Sequence, residues 1–220
     1  LCSCLIFLFF LDSEIGVLKT SKNLKQFLSK SKDINILSAA RLFLFGSRDI
    51  WFVVGIPLFL YSAGWSFWHV GSFLAFWIIG YGFCQSSVPL LIKRSVDGIA
   101  LEISSAKFWI FILMITQLAL LILINLNIQY ISTEKILIFG LLIYGGIFAI
   151  NSALHSYLIL AFSRNSSVTE DVGFYYSSNA LGRFFGTFLS GYLYQTVGIS
   201  GCICGSFFFI LLSFLIIKKL

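Results

Sequence analysis

Two arginines stand inside long apolar runs. Arg48 lies in NILSAARLFLFGSRDIWFVVGIPLFL, residues 35–60, and Arg183 in VGFYYSSNALGRFFGTFLSGYLYQ, residues 172–195. A charge in such a run is costly, so each needs a physical reason. Arg48 is 11 residues past Leu37 and Arg183 is 12 past Asp171. At the helical rise these positions lie roughly 16 and 18 Å along their helices, at a common depth. Two guanidinium forks at one depth suit the oxygens of a carboxylate, phosphate or arsenate, which they grip bidentately. The competing reading is a structural ion pair, Asp49 with Arg183.

Other polar side chains interrupt the same runs. Tyr176, Asn179 and Arg183 share one helix face by their i, i+3 and i, i+4 spacing. Asn151 and His155 are also i, i+4, with Ser152 beside them, and Gln85, Ser86 and Ser87 precede Pro89. Polar groups in lipid must face protein or water, so these residues either line a wet cavity or serve as hydrogen-bond glue between helices. Asn151, Gln85, Tyr176 and Asn179 join the two arginines as candidate substrate-binding residues. Asp49, the one carboxylate expected within a span, and His155, which titrates near neutrality, are the candidates for proton coupling. Gly182, Gly186 and Gly191 around Arg183, with Gly145 and Gly146, would let helices approach closely.

The elements that carry these residues follow from composition. Of 220 residues 59% are hydrophobic and 11% charged, against about 25% charged in an ordinary soluble domain. Aromatics make up 18%, with 25 Phe, and the mean hydropathy is +0.96. Neither a soluble fold nor a disordered chain has that balance. The apolar runs have the length of membrane helices rather than of barrel strands. The expected fold is an all-α integral membrane protein with six spans near 38–63, 68–92, 105–127, 136–162, 172–195 and 198–217. Residues 1–11, LCSCLIFLFFL, read as the end of a truncated transmembrane helix. Residues 12–37 read as a basic loop, with a short surface helix around Leu24, Phe27 and Leu28, and residues 38–220 as the six-helix bundle.

Loop charge sets the orientation. With segment 12–37 on the cytoplasmic side, Lys19, Lys22, Lys25, Lys30, Lys32, Arg41, Lys93, Arg94, Lys107, Arg164, Lys218 and Lys219 fall inside and only Lys135 outside. The positive-inside rule then puts loop 12–37 and the C-terminus in the cytoplasm of a multi-pass plasma-membrane protein. The net charge of +6 is thus read as orientation rather than nucleic-acid binding. There is no G-x-x-x-x-G-K-[ST], H-E-x-x-H or G-x-S-x-G, so the sequence offers no ATPase or hydrolase site and the chain reads as a non-enzyme without cofactor. The Cys2/Cys4 and Cys202/Cys204 pairs are spaced i, i+2, which on a helix points the thiols apart and makes no metal site.

A stub, a basic loop and six spans resemble the C-terminal half of a major facilitator permease, whose two six-helix halves are joined by such a loop. Within that superfamily, residues 35–60, NSALHSYLILAFS at 151–163, and residues 172–195 resemble the ArsJ-type organoarsenical efflux permeases. The resemblance covers about 63 of the 220 residues closely. It implies secondary active export of 1-arseno-3-phosphoglycerate made by a partner glyceraldehyde-3-phosphate dehydrogenase, and an N-terminal six-helix half as structural partner. Other readings are a different organic-anion or drug antiporter of the superfamily, a non-transporting membrane sensor, or an inert fragment.

Overall fold

Ser31, Ser66 and Ser132 each stand just ahead of an apolar stretch, and in the computed structural model each caps a helix. Their hydroxyls accept from the backbone N–H groups of Ile34, His69 and Lys135, all at 3.4 Å, satisfying donors that a helix start leaves unpaired. The structure describes residues 30–92, 99–126, 131–163 and 168–220. The expected stub 1–11, most of the expected loop 12–37 with its surface helix, and Lys93, Arg94 and Arg164 lie outside these residues.

The described residues form α1 (Lys32–Phe52), α2 (Gly55–Ser62), α3 (Phe67–Leu91), α4 (Ala100–Asn125), α5 (Thr133–Phe162), α6 (Val168–Val197) and α7 (Ile199–Ile217). Four of the six expected spans agree with α3, α4, α5 and α7 to within a few residues. The first differs at both ends. The loop expected to run to residue 37 gives way to helix at Lys32, because Ile34 and Leu37 are buried in the bundle. The span then breaks after Phe52. Pro57 cannot donate to the carbonyl four residues earlier, that of Val53, and its ring crowds it. Ser190 of α6 repairs the break: its hydroxyl accepts from the N–H groups of Val54 at 3.3 Å and Gly55 at 3.2 Å.

Five helical segments are long and apolar enough to cross a membrane: Lys32–Ser62, Phe67–Leu90, Ala100–Asn125, Thr133–Phe162 and Ile199–Ile217. The fifth expected span, 172–195, is α6. It is a 30-residue helix, but it is not among those five. Its glycines, hydroxyls, Asn179, Arg183 and acidic first turn dilute its apolar character. Large apolar side chains such as Phe67, Trp68, Phe76, Phe83, Phe139, Phe184 and Phe188 are exposed on the outer surface, as expected where lipid rather than water is the neighbour.

Side-chain contacts give the helix directions. α1 meets α6 at Arg41–Asn179, Asp49–Arg183 and Val54–Ser190, so the two run parallel. α5 runs against α1, through Phe45–Phe148 and Trp51–Tyr144, and alongside α3, through Trp65–Glu134 and Trp77–Leu141. α7 runs against α1, through Phe43–Phe209 and the hydrogen bond from Ser213 to the carbonyl of Ala40. Successive long helices therefore alternate up and down, α6 included.

The parallel pair α1 and α6 is held backbone to backbone. A Cβ at Gly182 would collide with the carbonyl of Leu42, and one at Gly186 would lie 3.0 Å from the Cα of Gly46. These two glycines, four apart, make a small-residue contact surface of the kind membrane helices use for close approach. At the N-terminal ends of the same pair Lys30 reaches Asp171 at 3.0 Å and Glu170 at 3.7 Å. Close packing and end-to-end pairing fix the register that the polar residues between them require.

Candidate functional site

Two polar clusters lie along the α1–α6 seam. The first centres on Asp49, whose side chain is 1% exposed. Arg48 donates from Nε to Oδ1 of Asp49 at 2.7 Å, and its Nη2 lies at the same distance from that oxygen. Arg183 donates from Nε to Oδ2 at 3.0 Å. One carboxylate thus bridges both arginines that the sequence singled out. The two arginines differ in setting. The Arg48 side chain is 12% exposed and the Arg183 side chain 55%. Arg48 also sits 5.1 Å from the Phe45 ring centre and 5.4 Å from that of Phe148. Arg183 opens instead into a groove on the outer side of α6, lined by Ala180, Phe184, Thr187 and Phe188.

The second cluster centres on Arg41, two helical turns before Arg48. The sequence reading counted Arg41 among the cytoplasmic surface charges. The structure corrects this, because the residue is 4% exposed and faces α5 and α6. Its start at Lys32 gives α1 nine residues before Arg41, about 13 Å of helix. Arg41 donates from Nε to Oδ1 of Asn179 at 3.3 Å, and from Nη1 to the carbonyl of Ser152 at 3.2 Å and its hydroxyl at 3.4 Å. Its guanidinium lies 3.7 Å from the Phe45 ring centre and 5.0 Å from that of Tyr175. Among the described residues no carboxylate lies within ion-pair distance of it.

No family model, no curated protein and no solved structure matches this chain.

The remaining sequence candidates divide between and outside these clusters. Asn179 shares the α6 face with Arg183 as expected, but its side chain serves Arg41. Asn151 is buried beside Ser152 and donates to the carbonyl of Ile147 at 3.0 Å, leaving Oδ1 without a partner. His155 is fully buried, and neither ring nitrogen has a partner among the described residues. Tyr176 is half exposed and packs edge-on against Tyr175. Gln85 is half-buried on α3 and hydrogen-bonds to neither cluster. Asp49 is not the only carboxylate within a span. Asp33, Glu102 and Glu134 also fall within candidate spans, each in a first helical turn, and Glu102 is buried; α1, α4 and α5 start earlier than expected, and a helix N-terminus favours an acid there.

The sequence reading missed Arg41 as a buried group. A usable signal was present: Arg41 and Arg48 are seven apart, and that spacing returns to the same helix face. A span start set at 38 placed Arg41 at the water interface. Moving it to Lys32 takes Arg41 inside.

The clusters hold three guanidinium groups, Arg41, Arg48 and Arg183, against one carboxylate, Asp49. That leaves an excess of two positive charges among mostly buried apolar side chains. Such an excess in a poorly solvated site attracts an anion, and guanidinium forks prefer flat, multi-oxygen ones.

Proposed function

We propose that this chain belongs to a secondary active transporter of the major facilitator type, as its C-terminal six-helix half, and that it carries an anionic organic solute across the plasma membrane. By the resemblance of α1, α5 and α6, the solute is an organoarsenical such as 1-arseno-3-phosphoglycerate, exported after a glyceraldehyde-3-phosphate dehydrogenase has made it. The observation that carries the anion reading is the unbalanced positive charge along the α1–α6 seam. It draws on the same three stretches: Arg41, Arg48 and Asp49 from α1, Ser152 and His155 from α5, and Asn179 and Arg183 from α6.

Other features support the reading. Five helices are apolar enough to span, and successive helices alternate in direction. Arg183, half exposed on the flank of a long helix, suits a water-filled cavity between two bundles better than lipid. In this scheme the two bundles rock about a site at the membrane midplane. A proton gradient drives the cycle, Asp49 and His155 are the coupling candidates, and α1 starts on the cytoplasmic side.

The bridge through Asp49 favours a second reading of Arg48 and Arg183 alone, in which they form a structural ion cluster and do not touch the solute. Efflux from cells that make the dehydrogenase and the protein carrying these helices separates the two. Arg183→Lys keeps the charge and loses the fork, so a solute-binding Arg183 predicts clear impairment. Wild-type efflux from the Arg48→Gln/Asp49→Asn/Arg183→Ala triple variant would show a structural ion cluster, since all three charges that Asp49 ties together are then gone. Absence of any arsenate resistance from the intact protein would remove the organoarsenical assignment.

A further inference from the structure

Arg41 is the buried guanidinium whose charge no carboxylate answers, and around it the fold gathers polar atoms that also lack partners. Ser38, one turn earlier on α1, is 1% exposed and its hydroxyl makes no hydrogen bond. On α5, Asn151 and His155 flank Ser152, the residue that Arg41 grips. The Oδ1 of Asn151 and both ring nitrogens of His155 are buried and unpartnered. The Nη2 of Arg41 makes no hydrogen bond among the described residues.

Burying one such group is costly, and burying several beside an unanswered cation is more so unless a ligand completes them. Their chemistry says which ligand. Arg41, the Ser38 hydroxyl and a His155 N–H donate, and a negative charge is missing. The Oδ1 of Asn151 accepts, and its orientation is set by the bond its amide makes to Ile147. Donors, one cation and a single acceptor together fit a tetrahedral oxyanion that still carries a proton on one oxygen. By contrast Arg48 and Arg183 already share the carboxylate of Asp49.

Resting on the permease reading above, we infer that the Arg41 cluster is the oxyanion-binding site, with Ser38, Asn151, His155 and Asn179 around it, and that it takes a phosphate- or arsenate-type group. Phe45 and Tyr175 pack on the guanidinium and close the site in this conformation. The Arg48–Asp49–Arg183 cluster one to two turns further along is internally paired and holds α1 to α6.

The test is thermal unfolding of the detergent-solubilised chain titrated with inorganic phosphate, against sodium chloride at matched ionic strength. The wild-type chain should gain stability saturably with phosphate, as a ligand that binds only the folded state requires. Arg41→Gln and Arg41→Lys should weaken the apparent affinity at least about tenfold, because neither side chain can hold Asn179 and Ser152 while presenting a third charged N–H group, that of Nη2, to the oxyanion. Arg183→Gln should stay within about threefold of wild type. Ser38→Ala breaks no hydrogen bond among the described residues, so a purely structural role predicts no change; the oxyanion site predicts affinity at least about threefold weaker with no loss of basal stability. Ser38→Ala also keeps the test decisive if Arg41→Gln fails to fold.

No phosphate response in the wild-type chain, a response unchanged in Arg41→Lys and Ser38→Ala, or a response lost in Arg183→Gln but kept in Arg41→Lys would each overturn the assignment. Transport is scored separately by efflux. Arg41-dependent phosphate binding in a protein that gives no efflux would keep this site and remove the permease reading.

Discussion

Replacing Asp49 with Asn leaves two guanidinium groups without their shared counter-charge, and the structure says the two will not feel the loss equally. The Arg48 side chain is 12% exposed and spends both Nε and Nη2 on one oxygen of Asp49. Removing one partner of a buried pair costs about 3–5 kcal/mol, because the other is left buried and charged. The Arg183 side chain is 55% exposed, and its arm of the bridge is worth roughly 1 kcal/mol or less once screening is allowed for. Asp49→Asn should therefore destabilise by about 3–5 kcal/mol, nearly all through Arg48, and Arg183→Gln by about 1 kcal/mol or less. For a chain of this size each kcal/mol moves the unfolding midpoint by roughly 2–4 °C. Asp49→Asn should lower Tm by about 6–20 °C and Arg183→Gln by no more than about 4 °C.

The assay is thermal unfolding of the solubilised chain followed by tryptophan fluorescence, arranged as two double-mutant cycles. Adding Arg48→Gln to Asp49→Asn should recover much of the loss, since a buried pair replaced by neutral groups is often nearly neutral. Adding Arg183→Gln should recover little. A Tm drop for Arg183→Gln as large as that for Asp49→Asn, or equal coupling in both cycles, would show that the half-exposed arm is the buried one in solution and refute the reasoning.

Other outcomes follow from single contacts. Gly182→Ala drives a Cβ into the Leu42 carbonyl and should cost about 1–3 kcal/mol or more by overpacking; Gly191→Ala meets nothing within 4 Å and should leave the unfolding midpoint unchanged or slightly raised. Ser190→Ala strips the acceptor from the Val54 and Gly55 N–H groups and should cost about 1–3 kcal/mol by the same measurement. On orientation, a cysteine placed at Ser132 in a background without native cysteines should label from outside intact cells, and one at Lys219 should not. The reverse pattern would invert the bundle.

The length of the apolar runs made the helices legible, and it did so where lipid demands it. A run that must hide its backbone polar groups in hydrocarbon has little freedom to be anything but a helix. That is why α3, α4, α5 and α7 fall where the sequence put them. The break in the first span was written in Pro57, but its tolerance depends on Ser190, 133 residues later. No local pattern announces a partner at that distance. The same limit governs the site. Arg48, Asp49, Asn179 and Arg183 were visible as polar residues in apolar runs, and the Gly182–Gly186 spacing hinted at a close contact. Which carboxylate answers which arginine was not visible, because adjacent helices are related by packing rather than by spacing.

Arg41 shows the sharper version of this limit. In sequence, a basic residue a few positions from a loop is indistinguishable from a surface charge, and the positive-inside count absorbed it as one. Its removal from that count weakens the orientation argument little, since Lys135 still faces Lys30, Lys32, Lys107, Lys218 and Lys219 among the described residues. Its transfer to the interior changes the electrostatics much more. With Arg48 and Arg183 alone, Asp49 leaves one unanswered positive charge; with Arg41 there are two, and among the described residues the second has no carboxylate within ion-pair distance. Because the glycine contact at Leu42 and Gly46 lies between Arg41 and Asp49 on α1, the unpaired and the paired cluster share one rigid seam. Any motion that opens the Arg41 site must slide α5 past that seam or part α1 from α6. Parting α1 from α6 would break the Asp49–Arg183 contact at the same time. By that second route, opening the Arg41 cluster and breaking the Asp49 bridge are one movement.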